Sequence, residues 1–155
     1  MKTKSPVGIL YALKNVLWTP NILKCGLTRQ SIGKRVCNLQ TSLPVDCEIV
    51  CTTQQLINCR IYENLLKKIL ANYRIRNDRE FYFIPNYETI RDIYSFFDEM
   101  NEKFKTENEL NDFIKSIYPD EKIISKKICC SNSITICKIR NKTKKRKIFV
   151  EIPDD

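Results

Sequence analysis

The chain contains no histidine, and without imidazole any zinc site would have to be built from thiolates. Among the eight cysteines, Cys25, Cys37, Cys47, Cys51 and Cys59 include no Cys-x-x-Cys pair. They are scattered over the predicted elements, with Cys47 and Cys51 alternating with apolar residues along one strand-like segment. The expectation is reduced thiols acting as small hydrophobes in an intracellular protein. Cys129, Cys130 and Cys137 form the one group left open to zinc. No run approaches the roughly 20 apolar residues needed to span a bilayer. Met1-Lys2-Thr3-Lys4-Ser5-Pro6 also lacks the apolar core of a secretion signal, so neither a membrane nor a secreted role is expected. Internal repeats and low-complexity tracts are absent as well.

What is present is positive charge. The formal net charge is +9 with a pI near 9.2, which favours a polyanionic partner because neutralised phosphates release their counterions. With 155 residues, 43% of them hydrophobic, the chain can build one modest domain plus an appendage. The high content of Lys, Ile and Asn fits an AT-rich genome.

Gly8-Ile9-Leu10-Tyr11-Ala12-Leu13 and Leu23-Lys24-Cys25-Gly26-Leu27 are two short apolar runs separated by the turn-like Trp18-Thr19-Pro20-Asn21. They predict a β-hairpin whose glycines permit close backbone approach. Thr28 or Ser31 can start a helix that puts Ile32, Val36 and Leu39 on one face and leaves Arg29 and Arg35 off it. Residues 45–53, following Pro44, alternate and then become continuously β-prone, which predicts a third strand.

A long helix is expected over residues 55–73, with Glu63 on it. After the arginine-rich turn Tyr73-Arg74-Ile75-Arg76-Asn77-Asp78-Arg79 comes an aromatic segment, Glu80-Phe81-Tyr82-Phe83-Ile84-Pro85, expected at the sheet edge. Asn86 caps a helix over residues 87–104 whose Ile90, Ile93, Tyr94, Phe97 and Met100 form an apolar stripe. Thr106 and Glu109 read as the capping box of a short helix ended by Pro119. Residues 133–139 and 147–152 read as a hairpin joined by the basic connection Arg140-Asn141-Lys142-Thr143-Lys144-Lys145-Arg146.

The Gly-x-x-Tyr strand, the second strand ending in Gly26, the Arg35 helix, the Glu63 helix and the Arg79-Glu80-Phe81 segment together resemble the GIY-YIG endonuclease superfamily, in its small phage- and virus-borne branch. The resemblance covers roughly residues 7–100. It implies an α+β domain at residues 1–104, with a small three-stranded, mostly antiparallel sheet flanked by helices. A C-terminal helix and basic β-hairpin, residues 105–155, would extend it. It implies metal-dependent cleavage of DNA, with RNA not excluded. Glu63 would hold one Mg²⁺ or Mn²⁺, Tyr11 would assist deprotonation of the attacking water, and Arg35 would stabilise the phosphoryl charge.

The chain departs from that pattern where Lys24 replaces the second tyrosine, where Lys67 replaces a histidine common in the branch, and where Leu27 replaces a position that is often basic. An ammonium at position 24 can contact phosphate or orient the water. Arg29, Arg74 and Arg76, with Lys142, Lys144, Lys145 and Arg146 of the tail, are the candidate phosphate contacts.

Plainer readings stand beside these. Glu63 can simply pair with Lys67 at i,i+4, Tyr11 can be a core aromatic, and Arg35 a surface cation. Trp18 can stack on an unpaired base or pack within its own turn. The basic connection of the tail is a phosphate-gripping arm or a solvated hairpin tip. Two other functions remain open: a catalytically weak nucleic-acid-binding protein, and a protein-interaction module using the cysteine-containing tail.

Overall fold

The hairpin forms as β1 (Val7–Lys14) and β2 (Ile22–Thr28), paired antiparallel so that Tyr11 lies opposite Gly26, Ala12 opposite Cys25 and Leu13 opposite Lys24. Its turn is built by asparagine chemistry. The Asn15 side chain accepts the Leu17 N–H (2.9 Å), and Asn21 takes the left-handed conformation, φ 68°, which asparagine tolerates better than most residues. The computed structural model describes residues 6–118, together with the backbone of two strands further on, at 133–140 and 145–151.

β3 (Glu48–Thr52) pairs with the other edge of β1, with a bulge between Ala12 and Leu13, while β4 (Leu56–Ile57) pairs with Val7 and Gly8. β5 (Phe81–Phe83) adds to the free edge of β2, pairing Lys24 with Phe81 and Leu23 with Tyr82. The sheet therefore has five strands in the order β3-β1-β2-β5 with β4 also on β1, all pairs antiparallel, where the sequence predicts three.

The two additional strands are too short to show a period of their own. The residues of β4 fall in the span expected to begin a long helix; they are held extended instead by Asn101, whose side chain accepts the Ile57 N–H (2.8 Å) and donates to the Gln55 carbonyl (3.0 Å). The helix expected over 55–73 is correspondingly shorter. α2 runs Cys59–Ile69 after Asn58, itself at φ 60°, and a separate 3₁₀ turn, Ala71–Tyr73, follows.

The remaining helices begin where their caps lie. Ser31 accepts the Lys34 N–H at the start of α1 (Ile32–Gln40), and Asn86 accepts the Glu88 N–H at the start of α3 (Tyr87–Lys103). Side chains on β1 alternate between two faces. On one face, α1 lays Ile32, Val36 and Leu39 over Tyr11 and Leu13. On the other, α2 lies against β1 and β2, α3 against β3 and β4, and the Tyr62 and Phe97 rings meet at 5.4 Å. There the buried Tyr94 hydroxyl donates to the Tyr11 carbonyl (2.8 Å), tying α3 to the centre of the sheet.

The chain divides into two compact units, Met1–Lys103 and Phe104–Asp155. In the second, α4 (Glu107–Ile117) starts with the Thr106/Glu109 capping box, and Phe104 stacks on Phe113 at 4.7 Å. The expected hairpin is present in the backbone as β6 (Ser133–Arg140) and β7 (Lys145–Glu151), paired antiparallel. Lys142 and Lys144 lie outside the described residues, as do Cys129 and Cys130. No helix among the described residues is long and apolar enough to cross a membrane.

Candidate active site

Tyr11 stands in the middle of β1 with its ring fully buried. α1 buries Val36 against it, and this rotation of the helix brings the preceding residue, Arg35, over the strand. The Arg35 Nε–H donates to the Tyr11 hydroxyl (3.3 Å), and the guanidinium lies 6.0 Å from the ring centroid. Arg35 is thus neither buried in the helix–sheet seam nor a purely solvated cation.

Opposite Tyr11, Gly26 leaves the space that the phenol fills. A Cβ on Gly26 would stand 2.5 Å from the Tyr11 hydroxyl oxygen and 3.1 Å from Oε2 of Glu80. Lys24 is two residues earlier on β2 and so on the same face. Its Nζ is 4.0 Å from Glu80 Oε2 and 4.8 Å from the centroid of the Phe81 ring. Glu80 is delivered by the start of β5, and its carbonyl accepts the Cys25 N–H (3.1 Å). Tyr11, Lys24 and Arg35 are therefore brought together, and Glu80 joins them around Gly26.

Burial is the main cause that raises the Tyr11 hydroxyl above its ordinary value. The Arg35 hydrogen bond and charge work against that rise, while the Glu80 charge adds to it. At neutral pH the group is a phenol, a hydrogen-bond donor, and not a phenolate.

Glu63 is not brought into this cluster: it stands on α2, which packs on the face of the sheet opposite α1. Its Oε1 lies 3.6 Å from Lys67 Nζ, so the i,i+4 pair is present, and its side chain is 14% exposed. The Tyr82 hydroxyl, pushed up to about 12 mainly by burial, is within electrostatic reach of Arg74, Glu80 and Glu63.

At 3.6 Å the Lys67 contact is longer than a hydrogen bond, which leaves carboxylate lone pairs for a hard cation that keeps most of its waters. Among the described residues, no group of three or more Asp, Glu, Cys or His could hold a metal.

Of the candidate phosphate contacts, Arg29 is exposed just after β2. Arg74 has a structural task, donating to the Arg79 carbonyl (2.8 Å), and Arg76 forms a bidentate pair with Asp78 (3.1 and 3.0 Å). Lys145 and Arg146 are in β7, described by its backbone alone.

Glu80 and Phe81 entered the sequence reading only as part of the Arg79-Glu80-Phe81 segment of the resemblance, with no place at the site assigned to them. Their signal was an acid at the start of an aromatic strand. The register that sets Phe81 beside Lys24 is a tertiary pairing that no local pattern announces.

These features define an α+β domain in which a small antiparallel sheet displays a Tyr–Arg–Lys–Glu cluster on one face. The chain belongs to the T5orf172 domain family, whose model matches residues 8–98 and which suggests a nuclease-like or nucleic-acid-binding domain. The match runs from β1 through most of α3 and includes Tyr11, Lys24, Arg35, Glu63 and Glu80. No curated protein and no solved structure matches the chain.

Proposed function

We propose that this chain is a GIY-YIG-type endonuclease that hydrolyses DNA phosphodiester bonds by in-line attack of water, with one Mg²⁺ or Mn²⁺ held by Glu63. The observation that carries the reading is the Arg35 Nε–H bonded to the Tyr11 hydroxyl across Gly26, with Lys24 on the same face. The metal, when bound, would polarise the phosphoryl group and its water.

The protein's own groups do the rest. Arg35 and Lys24 neutralise charge growing on the phosphoryl oxygens, Arg35 through a planar fork suited to two oxygens. Tyr11, kept protonated by burial, orients the attacking water. As the water gives its proton to the Tyr11 oxygen, the phenol would pass its own to a carboxylate; Glu80, whose charge already raises the phenol, is the candidate acceptor once the two groups close to hydrogen-bond distance. The DNA held by such a site need not form a covalent link to the protein.

The test is nicking of supercoiled plasmid at low salt with Mg²⁺ or Mn²⁺. Glu63→Ala and EDTA should each abolish nicking, and Arg35→Ala should lower its rate by about 10²-fold, the usual scale for removing one charge-stabilising donor.

A second reading has its own support. Lys24 stands where the superfamily has a tyrosine, and the Lys67 ammonium, 3.6 Å from Glu63 Oε1, is a positive charge with which a cation there would have to compete. Both fit a domain that binds nucleic acid with little catalysis. DNA binding that survives Glu63→Ala, without cleavage by the wild-type protein, would select this reading.

A further inference from the structure

At the end of the sheet, the β1–β2 turn and the arginine-rich turn before β5 lie side by side. The second turn folds back on itself through the Ile75 N–H to Phe81 carbonyl bond (3.0 Å) and the Arg74–Tyr82 bridge. Between the turns is a groove of about 330 Å³ whose lining includes Leu17, Trp18, Ile75, Arg76, Arg79 and Phe81. Trp18 meets Phe81 edge to face at 5.1 Å. Leu17 and Ile75 remain about half exposed at 52% and 48%, apolar side chains that the fold leaves in water. The rim is cationic, because Arg76 and Arg79 share the single carboxylate of Asp78.

Phe81 is also the ring on which Lys24 rests, so the groove and the cluster around Gly26 share one wall. An apolar groove with two aromatic rings in its lining and guanidinium groups at its rim, sharing Phe81 with a lysine of the proposed phosphate site, matches the chemistry of a nucleotide whose base has left its stack. A paired base keeps both faces covered and cannot enter.

We propose that this groove seats an unpaired base of a DNA strand whose phosphates run toward Lys24. The proposal rests on the nuclease reading and deepens it: the substrate is DNA that carries unpaired nucleotides, such as a flap or a gap, beside a duplex.

Trp18 is the single tryptophan of the chain, so its fluorescence reports on the groove directly. The full chain, in EDTA to prevent cleavage, is titrated with a labelled duplex, the same duplex carrying a short flap, and that flap with abasic positions. Label anisotropy shows when each is bound. Flap DNA should quench Trp18 and bind about tenfold more tightly than the duplex, within the usual range for one stacked base. The abasic flap should lose both effects. Trp18→Ala should remove the preference and Trp18→Phe should restore part of it, each with an unchanged melting curve.

Equal affinities with equal emission would overturn the base site. So would a Trp18→Ala loss that is the same for flap and duplex, tighter binding of the same flap made of RNA, or a Trp18→Ala variant that keeps the full preference. If the paired plasmid is nicked while flap and duplex bind alike, the nuclease reading stands and the base site falls. A chain that binds none of these DNAs loses both.

Discussion

Gly26 makes the smallest contribution of atoms to the site and sets its geometry. Any side chain there must displace either the Tyr11 phenol or the Glu80 carboxylate, and the phenol is pinned from above by α1 and Arg35. Gly26→Ala is expected to cost about 1–3 kcal/mol through overpacking, seen as a lower urea midpoint. Nicking should fall further than stability alone would require, because the Tyr11–Arg35 bond must open to admit the methyl group. A Gly26→Ala variant with wild-type stability and activity would show that the phenol does not need this space.

Among the elements, the clearest case is β4, two residues long and unable to persist by its own propensity. It persists because Asn101, from the last turns of α3, closes a hydrogen-bonded ring on Gln55 and Ile57. The same element leads into α2 and thereby sets the helical phase that presents Glu63. Asn101→Ala should leave a backbone donor and acceptor unmatched at a cost of about 1–3 kcal/mol. The loss should be local, seen as faster amide exchange at Ile57 while the Tyr11–Gly26 region keeps its protection. The caps behave differently: Ser31, Asn86 and Thr106 act within their own turns.

The first unit buries the phenols of Tyr11, Tyr62, Tyr82 and Tyr94 and half-buries that of Tyr73. Tyr11, Tyr62, Tyr73, Tyr82 and Tyr94 are all raised above the ordinary tyrosine value, with burial the first cause in every case. The folded protein therefore holds these protons to higher pH than the unfolded chain does. Their contribution to stability is complete below pH about 10 and is lost as pH rises from there through the folded values. The urea midpoint should be flat up to about pH 9 and then fall steeply toward pH about 12, with a shallower fall in Tyr82→Phe. A midpoint that stays level across that range would mean that the phenols ionise without leaving the core.

The hairpin, the Arg35 helix and the α3 and α4 starts were legible in the residues because their causes are local: turn asparagines, N-caps, a 3.6-residue apolar repeat. Tyr11, Lys24 and Arg35 could be picked out together only through the superfamily resemblance, since each alone reads as a core aromatic or a surface cation. The sequence by itself thus determined the fold class and the candidates for chemistry. Tertiary structure alone decided that the sheet has five strands, that residues 55–57 are not helical, and that Glu80 and Phe81 stand beside Lys24. Each of those depends on a partner far along the chain: Asn101 for β4, and β2 for the strand that carries Phe81. A short segment carries too little pattern to announce such a partner, and only the closing of the sheet supplies the hydrogen bonds that hold it there.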